Sequence, residues 1–286
     1  MDQVVCDIAD GVAVITINRP EARNALNRTV RHRLPELISE LEDDDTVDVM
    51  ILTGADPAFS AGVDLKEIGA GATGGDDLRS GPAGDLAGGT SVEAKPEAVD
   101  MGGRSAGGRL PWRGALPPRT KLLIGAVNGV AVTGGLELAL ACDFLIASER
   151  ARFADTHARV GVMPGWGLTV LLPQRVGVAR AREMSVTGNF VDAALAYDWG
   201  LVNHVVPHDE LLPYCRQLGA DCRTIDQLAV RRMLSTYDRN SLVSDAEAWV
   251  IEDEVSRSWE GSGFDPAEIE RRRAGILARG RDQTKQ

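Results

Sequence analysis

A layered α/β core followed by a helical C-terminal module is predicted by three observations along the 286 residues. Short β-rich runs come early and alternate with helical patterns. From Leu168 onward helical segments dominate. Two glycine-bearing turns each lead from a strand run into a helix start. With 44% hydrophobic and 26% charged residues the chain can bury a sizeable core. One core over residues 1–200, carrying a helical module over 201–286, is therefore expected rather than two equal domains.

The elements follow in order. Val4-Val5-Cys6 and Val12 to Ile17 flank Asp10-Gly11, a hairpin signature. Asn18-Arg19-Pro20 breaks the second strand. Asn27 is placed to cap a helix reaching about Leu41, which Pro35 should kink or divide. Val47 to Thr53 reads as a buried strand ending at Gly54, and Asp64 opens a short helix. Residues 69–118 are dense in Gly, with few large apolar side chains and no regular period, so a flexible insertion is expected there. No strand leads into it and no P-loop lysine follows, which argues against a phosphate cradle. Leu122 to Val127 is the next strand, Gly129 to Gly135 a tight turn, Leu136 to Ala141 a helix start and Phe144 to Ala147 another strand. Helices are expected at 168–174, 178–186, 192–198 and 209–221, with one more β segment around Val202 and Val205-Val206.

Composition narrows the function. A net charge of −11 argues against a nucleic-acid partner, although a few local basic residues suffice for a phosphorylated ligand. The start, Met1-Asp2-Gln3, shows no export signal, and no run approaches the roughly 20 apolar residues of a membrane span. Cys6, Cys142, Cys215 and Cys222 lack a metal-binding pattern and read as reduced thiols of a cytoplasmic protein.

The two turns carry the chemistry. One is Ala58-Phe59-Ser60-Ala61-Gly62-Val63-Asp64-Leu65-Lys66; the other runs from Asn128-Gly129 through Thr133-Gly134-Gly135 to Leu136-Glu137. Each glycine lets the backbone turn sharply and leaves N–H groups free at a helix start, where negative charge is favoured. Two such turns facing each other can aim two amides at one oxyanion, with an acid three residues beyond Gly134.

These residues resemble the crotonase (enoyl-CoA hydratase/isomerase) superfamily. The resemblance rests on Asn18 to Leu26 (NRPEARNAL), Phe59 to Leu65, Val127-Asn128-Gly129, Gly134 to Ala139, Cys142-Asp143 and Pro164-Gly165-Trp166-Gly167. It continues through Leu172 to Gly177, Thr187-Gly188, Ala193-Ala194 and Gly200-Leu201-Val202, and so covers nearly everything except 69–118. It implies a crotonase-like spiral of ββα repeats, with C-terminal helices that mediate trimerisation and trimers that pair into hexamers. It also implies an acyl-CoA thioester ligand, with coenzyme A as part of the substrate and no separate cofactor or metal. Val63 and Gly134 match the oxyanion-hole amides, and Glu137 matches the first of two hydratase glutamates. Ala61, Arg23 and Lys66, together with Asp64, lie in the segments where the family contacts the adenine and phosphates of CoA.

One position departs from the pattern: counting from Glu137, the second hydratase acid falls on His157, within Phe153-Ala154-Asp155-Thr156-His157. A histidine beside a carboxylate can form an acid–base pair, and Asp155 is the other candidate for that role. His32, His204 and His208 read as structural or exposed. Trp166 is the aromatic expected near the acyl chain. The function implied is enoyl-CoA hydration. The alternatives are a crotonase-fold isomerase or thioesterase, or a non-catalytic acyl-CoA binding protein.

Overall fold

The structure, a computed structural model, describes residues 2–64, 114–261 and 266–284. The expected insertion, up to residue 113, lies outside the described residues, as do Lys66 and the helix expected after Asp64.

Strands β1 (Val4–Ala9) and β2 (Val12–Ile17) form the expected antiparallel hairpin. Its two turn residues, Asp10 (φ 48°) and Gly11 (φ 70°), are both left-handed, as a two-residue turn matching strand twist requires. Helix α1 (Arg28–Asp43) starts on Asn27, whose side chain accepts from the Val30 N–H at 3.0 Å. It runs unbroken through Pro35, contrary to the expected division. Burial of Leu34, Leu37, Ile38 and Leu41 on both sides of the proline holds the helix together despite the lost backbone bond. Its C-terminal end is tied to the chain before the fifth strand. There Lys121, 1% exposed, donates from Nζ to the carbonyls of Leu41 and Asp44, both at 2.7 Å.

Strand β3 (Val49–Gly54) is followed by the three-residue β4 (Ala58–Ser60), then by β5 (Leu122–Val127), β6 (Val130–Val132) and helix α2 (Gly134–Leu140). Strand β6 occupies the stretch expected to be only a tight turn. Its β-branched Val130 and Val132 find partner strands on both sides, which a turn would forgo. The chain continues as β7 (Phe144–Ser148), β8 (Arg152–Ala154), α3 (His157–Val160), α4 (Leu168–Val176), α5 (Val178–Thr187), β9 (Val191–Asp192) and α6 (Ala193–Asp198). It ends as β10 (His204–Val206), α7 (Leu211–Arg223), α8 (Gln227–Asn240), α9 (Asp245–Gly261) and α10 (Pro266–Gln283).

The strands make two sheets. The larger has the order β1-β2-β3-β5-β7-β10, parallel from β2 onward. Strands β3 and β5 are buried along their whole length, as parallel strands covered on both faces must be. Ile15, Ile17, Met50, Leu52 and Leu123 share one apolar cluster with Leu34 and Ile38 of α1. The alternate residues Val12, Val14, Val49, Ile51 and Ile124 pack with Leu211 and Cys215 of α7 on the other face. Thus β10 and α7, both past residue 200, are built into the large sheet's packing. The smaller sheet, β4-β6-β8-β9, is the one that positions the site. Three of its strands end beside the residues of interest: β4 before Val63, β6 before Gly134 and β8 before Asp155.

Candidate active site

The two glycine turns meet. A Cβ on Gly135 would lie 2.2 Å from the Ser60 carbonyl oxygen, so α2 can approach the end of β4 only because residue 135 has no side chain. A Cβ on Gly62 (φ 83°) would lie 3.1 Å from the Gly134 nitrogen, and one on Gly134 would lie 3.5 Å from the Val63 nitrogen. The amides of Val63 and Gly134 are therefore neighbours across the turn. Leu26 N–H donates to the Gly62 carbonyl and Asp64 N–H to the Leu26 carbonyl, so the intervening Val63 N–H points away from that pairing. Gly134 opens α2, and its N–H has no intrahelical acceptor. Two main-chain donors this close can serve one anionic oxygen.

The first turn is held by buried polar side chains. Asn24 donates from Nδ2 to the carbonyls of Ala55 (2.6 Å) and Ala58 (2.5 Å), and Ser60 Oγ donates to the Asn24 carbonyl at 2.8 Å. Arg19 forms an ion pair with Asp64 at 3.2 Å and also donates to the Ala25 carbonyl. Asp64, one of the expected ligand contacts, thus anchors the loop that carries Val63. Ala61 N–H donates to the Arg23 carbonyl at 2.9 Å, which brings those two expected CoA contacts together, and the Arg23 side chain is exposed. The roles of Asn24 and Arg19 have no local signal, because Asn24 reaches Ala55 and Arg19 reaches Asp64, 31 and 45 residues along the chain.

Glu137 stands one helical turn beyond Gly134, on the same face of α2, and is 2% exposed. Its Oε1 accepts from the backbone N–H groups of Trp166 (2.7 Å) and Leu168 (3.3 Å). Its Oε2 faces His157 Nε2 at 3.3 Å. The other ring nitrogen, Nδ1, lies 2.6 Å from Asp155 Oδ1, which also accepts from the His157 backbone N–H at 3.1 Å. His157 thus sits between two carboxylates in a buried pocket. Burial disfavours its charged form, but the hydrogen bonds and charges of Asp155 and Glu137 outweigh that, and its pKa is pushed up to about 9. Burial likewise pushes Asp155 up, yet its bonds with His157 and Ser185 hold the carboxyl below its ordinary value of 3.8.

The two shifts set opposite pH limits. The stability His157 contributes is fully present below its ordinary value of 6.5 and is lost as pH rises through about 9. The contribution of Asp155 is present above 3.8 and is lost as pH falls below it.

Two further features shape the pocket. Trp166, half-buried, places its ring Cζ3 3.0 Å from where a Gly134 Cβ would be, so the indole lies against the start of α2 beside these amides. Thr133, immediately before Gly134, has φ 53° although it is β-branched, a costly backbone state. Its hydroxyl meets that of Thr156, next to His157, at 2.5 Å, clasping the amide-bearing turn to the acid-bearing segment. Elsewhere, His208 bridges Ser148 and Asp56, each at 3.0 Å, as a structural link, while His204 is exposed. Burial pushes the thiols of Cys142 and Cys215 up to about 12, so neither serves as a nucleophile. Among the described residues no three His, Cys, Asp or Glu side chains converge to hold a metal ion.

A family model described as enoyl-CoA hydratase/isomerase matches residues 7–108 and 114–259. A probable peroxisomal enoyl-CoA hydratase 1 of Arabidopsis thaliana is 35% identical over 94% of this chain and 91% of its own length. A 1,2-epoxyphenylacetyl-CoA isomerase of Escherichia coli is 34% identical, covering 85% of each chain. Among solved structures, an enoyl-CoA hydratase from Mycobacterium tuberculosis is 41% identical with a TM-score of 0.68, covering 91% of this chain and 99% of that one. The chain is therefore a member of the enoyl-CoA hydratase/isomerase, or crotonase, family.

Proposed function

We propose that the protein is an enoyl-CoA hydratase that adds water across the double bond of a 2-enoyl-CoA thioester. The observation that carries this reading is the contact between Glu137 and His157 beside the paired amides of Val63 and Gly134. The thioester oxygen binds against those amides, which stabilise the negative charge that develops there. Glu137 takes a proton from water as the water oxygen bonds to C3 of the acyl chain, and the electron pair of the double bond moves toward the thioester oxygen. The Nε2–H of His157 then gives its proton to C2. Glu137 returns the captured proton to His157 across their 3.3 Å contact, and the site is reset. Hydration involves no net oxidation or reduction, so the reaction calls for no redox cofactor.

For the CoA portion, Ala61 has already given its N–H to Arg23. Its carbonyl is the group left to accept from an adenine amino group, while Arg23, whose side chain is exposed, and Lys66 supply charge for phosphates. Trp166 bounds the acyl chain.

The reading is tested by following loss of the conjugated thioester absorbance of crotonyl-CoA and a longer 2-enoyl-CoA across pH. Because His157 must carry a proton, kcat should hold through neutral pH and fall as pH rises through about 9. His157→Ala should lower kcat on the order of 10²-fold. Tight binding of both thioesters without turnover would overturn hydration in favour of a binding protein.

We also propose that the protein assembles as a homotrimer or a pair of trimers through the helical segment after residue 200. Leu228, Met233 and Tyr237 on α8 and Trp249 and Val250 on α9 are exposed, more apolar surface than an isolated chain favours. Light scattering should give three or six times the mass of the chain; a monomer would refute assembly. Free thiols at all four cysteines suit the proposed cytoplasmic location. Among the described residues, no helix is long and apolar enough to cross a membrane.

A further inference from the structure

We propose that Asp155 is a positioning residue for this hydration, orienting the His157 ring so that an N–H, and not a lone pair, faces Glu137. The inference rests on the hydratase reading and on three contacts. Asp155 Oδ1 receives both the backbone N–H of His157 and its ring Nδ1, closing a short loop that fixes the ring plane. Ser185, from α5, hydrogen-bonds the same carboxylate. Glu137 Oε2 then faces the remaining ring nitrogen.

Two carboxylates on two ring nitrogens can both be satisfied only if both nitrogens carry hydrogen. Without Asp155, a neutral ring could present its Nε2 lone pair to Glu137, leaving two bases and no acid, and protonation at C2 would stall. An aspartate–histidine pair therefore does here what a single carboxylic acid does where the matching residue is glutamate. The charged groups bearing on the ring are Asp155, from its own segment, and Glu137, from α2; α5 contributes the neutral Ser185.

The test combines titration of His157 by NMR of ring-labelled histidine with the pH dependence of crotonyl-CoA hydration, for the wild type, Asp155→Asn, Asp155→Glu and Ser185→Ala. Asp155→Asn should lower the His157 pKa by about one unit or more. It should also move the alkaline limb of kcat down with it and cut kcat at pH 8 about tenfold, while leaving KM little changed. Asp155→Glu should restore part of the titration and the rate. Ser185→Ala, which keeps the charge, should give a smaller shift in the same direction.

An unchanged His157 titration and alkaline limb in Asp155→Asn would overturn the proposal. Should that variant not fold, a wild-type ring that is neutral at pH 7.5, or a Ser185→Ala titration identical to wild type, would overturn it equally. The titration does not depend on turnover. If Asp155 governs the His157 ring but no 2-enoyl-CoA is hydrated, the hydratase reading fails while the ring's dependence on Asp155 stands.

Discussion

Glu137→Gln is expected to lower kcat for crotonyl-CoA hydration on the order of 10³-fold while leaving thioester binding nearly intact. Glutamine keeps an oxygen for the Trp166 and Leu168 amides, so the segment that walls the pocket has no reason to move. What is lost is the second oxygen. In its place an amide NH₂ would confront the Nε2–H of His157, two donors 3.3 Å apart with no base between them. Water then has no acceptor for its proton, and His157 has no partner to recharge it. The check is a rate measurement beside calorimetry of acyl-CoA binding. A variant within tenfold of wild type in kcat would remove Glu137 from the chemistry.

Gly134→Ala is expected to reduce kcat/KM by about 10²- to 10³-fold, the scale on which a single oxyanion donor is felt. Gly134 does not have a positive φ, so alanine meets no backbone penalty and the protein should still fold. The damage is local. The new methyl would lie 3.5 Å from the Val63 nitrogen and 3.0 Å from the Trp166 ring, in the space an oxygen needs to reach both amides. Circular dichroism should match wild type, with melting lowered only modestly by the crowding at Trp166, while steady-state kinetics collapse. Wild-type kinetics in this variant would place the carbonyl oxygen elsewhere.

Much of the site could be read from the chain because glycine and local spacing encode it. Asp10-Gly11 announces its hairpin, Asn27 its helix, and Gly134 with Glu137 an amide and an acid one helical turn apart. Counting from Glu137 located His157 as well. The second sheet was hard to see because its strands span only two or three residues, too few to display alternation. Two of its strands were hidden inside what read as glycine turns. Asp155 was visible as a candidate acid, but its bonds to the ring and backbone of His157 and to Ser185 of α5 come from the folded segment and carry no sequence signature. Pairings such as Arg19 with Asp64 follow from the closed fold, since 45 residues separate them and no local pattern links the two. Helix α1 ran through Pro35 because burial on the large sheet exceeded the local preference to stop.

The contact of Gly135 with the Ser60 carbonyl has an evolutionary consequence. The gap between the two donors is set by main chain pressed on main chain, so drift in the surrounding side chains cannot retune it. Any substituent at residue 135 wedges the α2 start away from β4 and spoils the catalytic geometry in one step. Variation in the shape of the pocket is thereby channelled to positions such as Trp166, which can change size while the donors stay where they are.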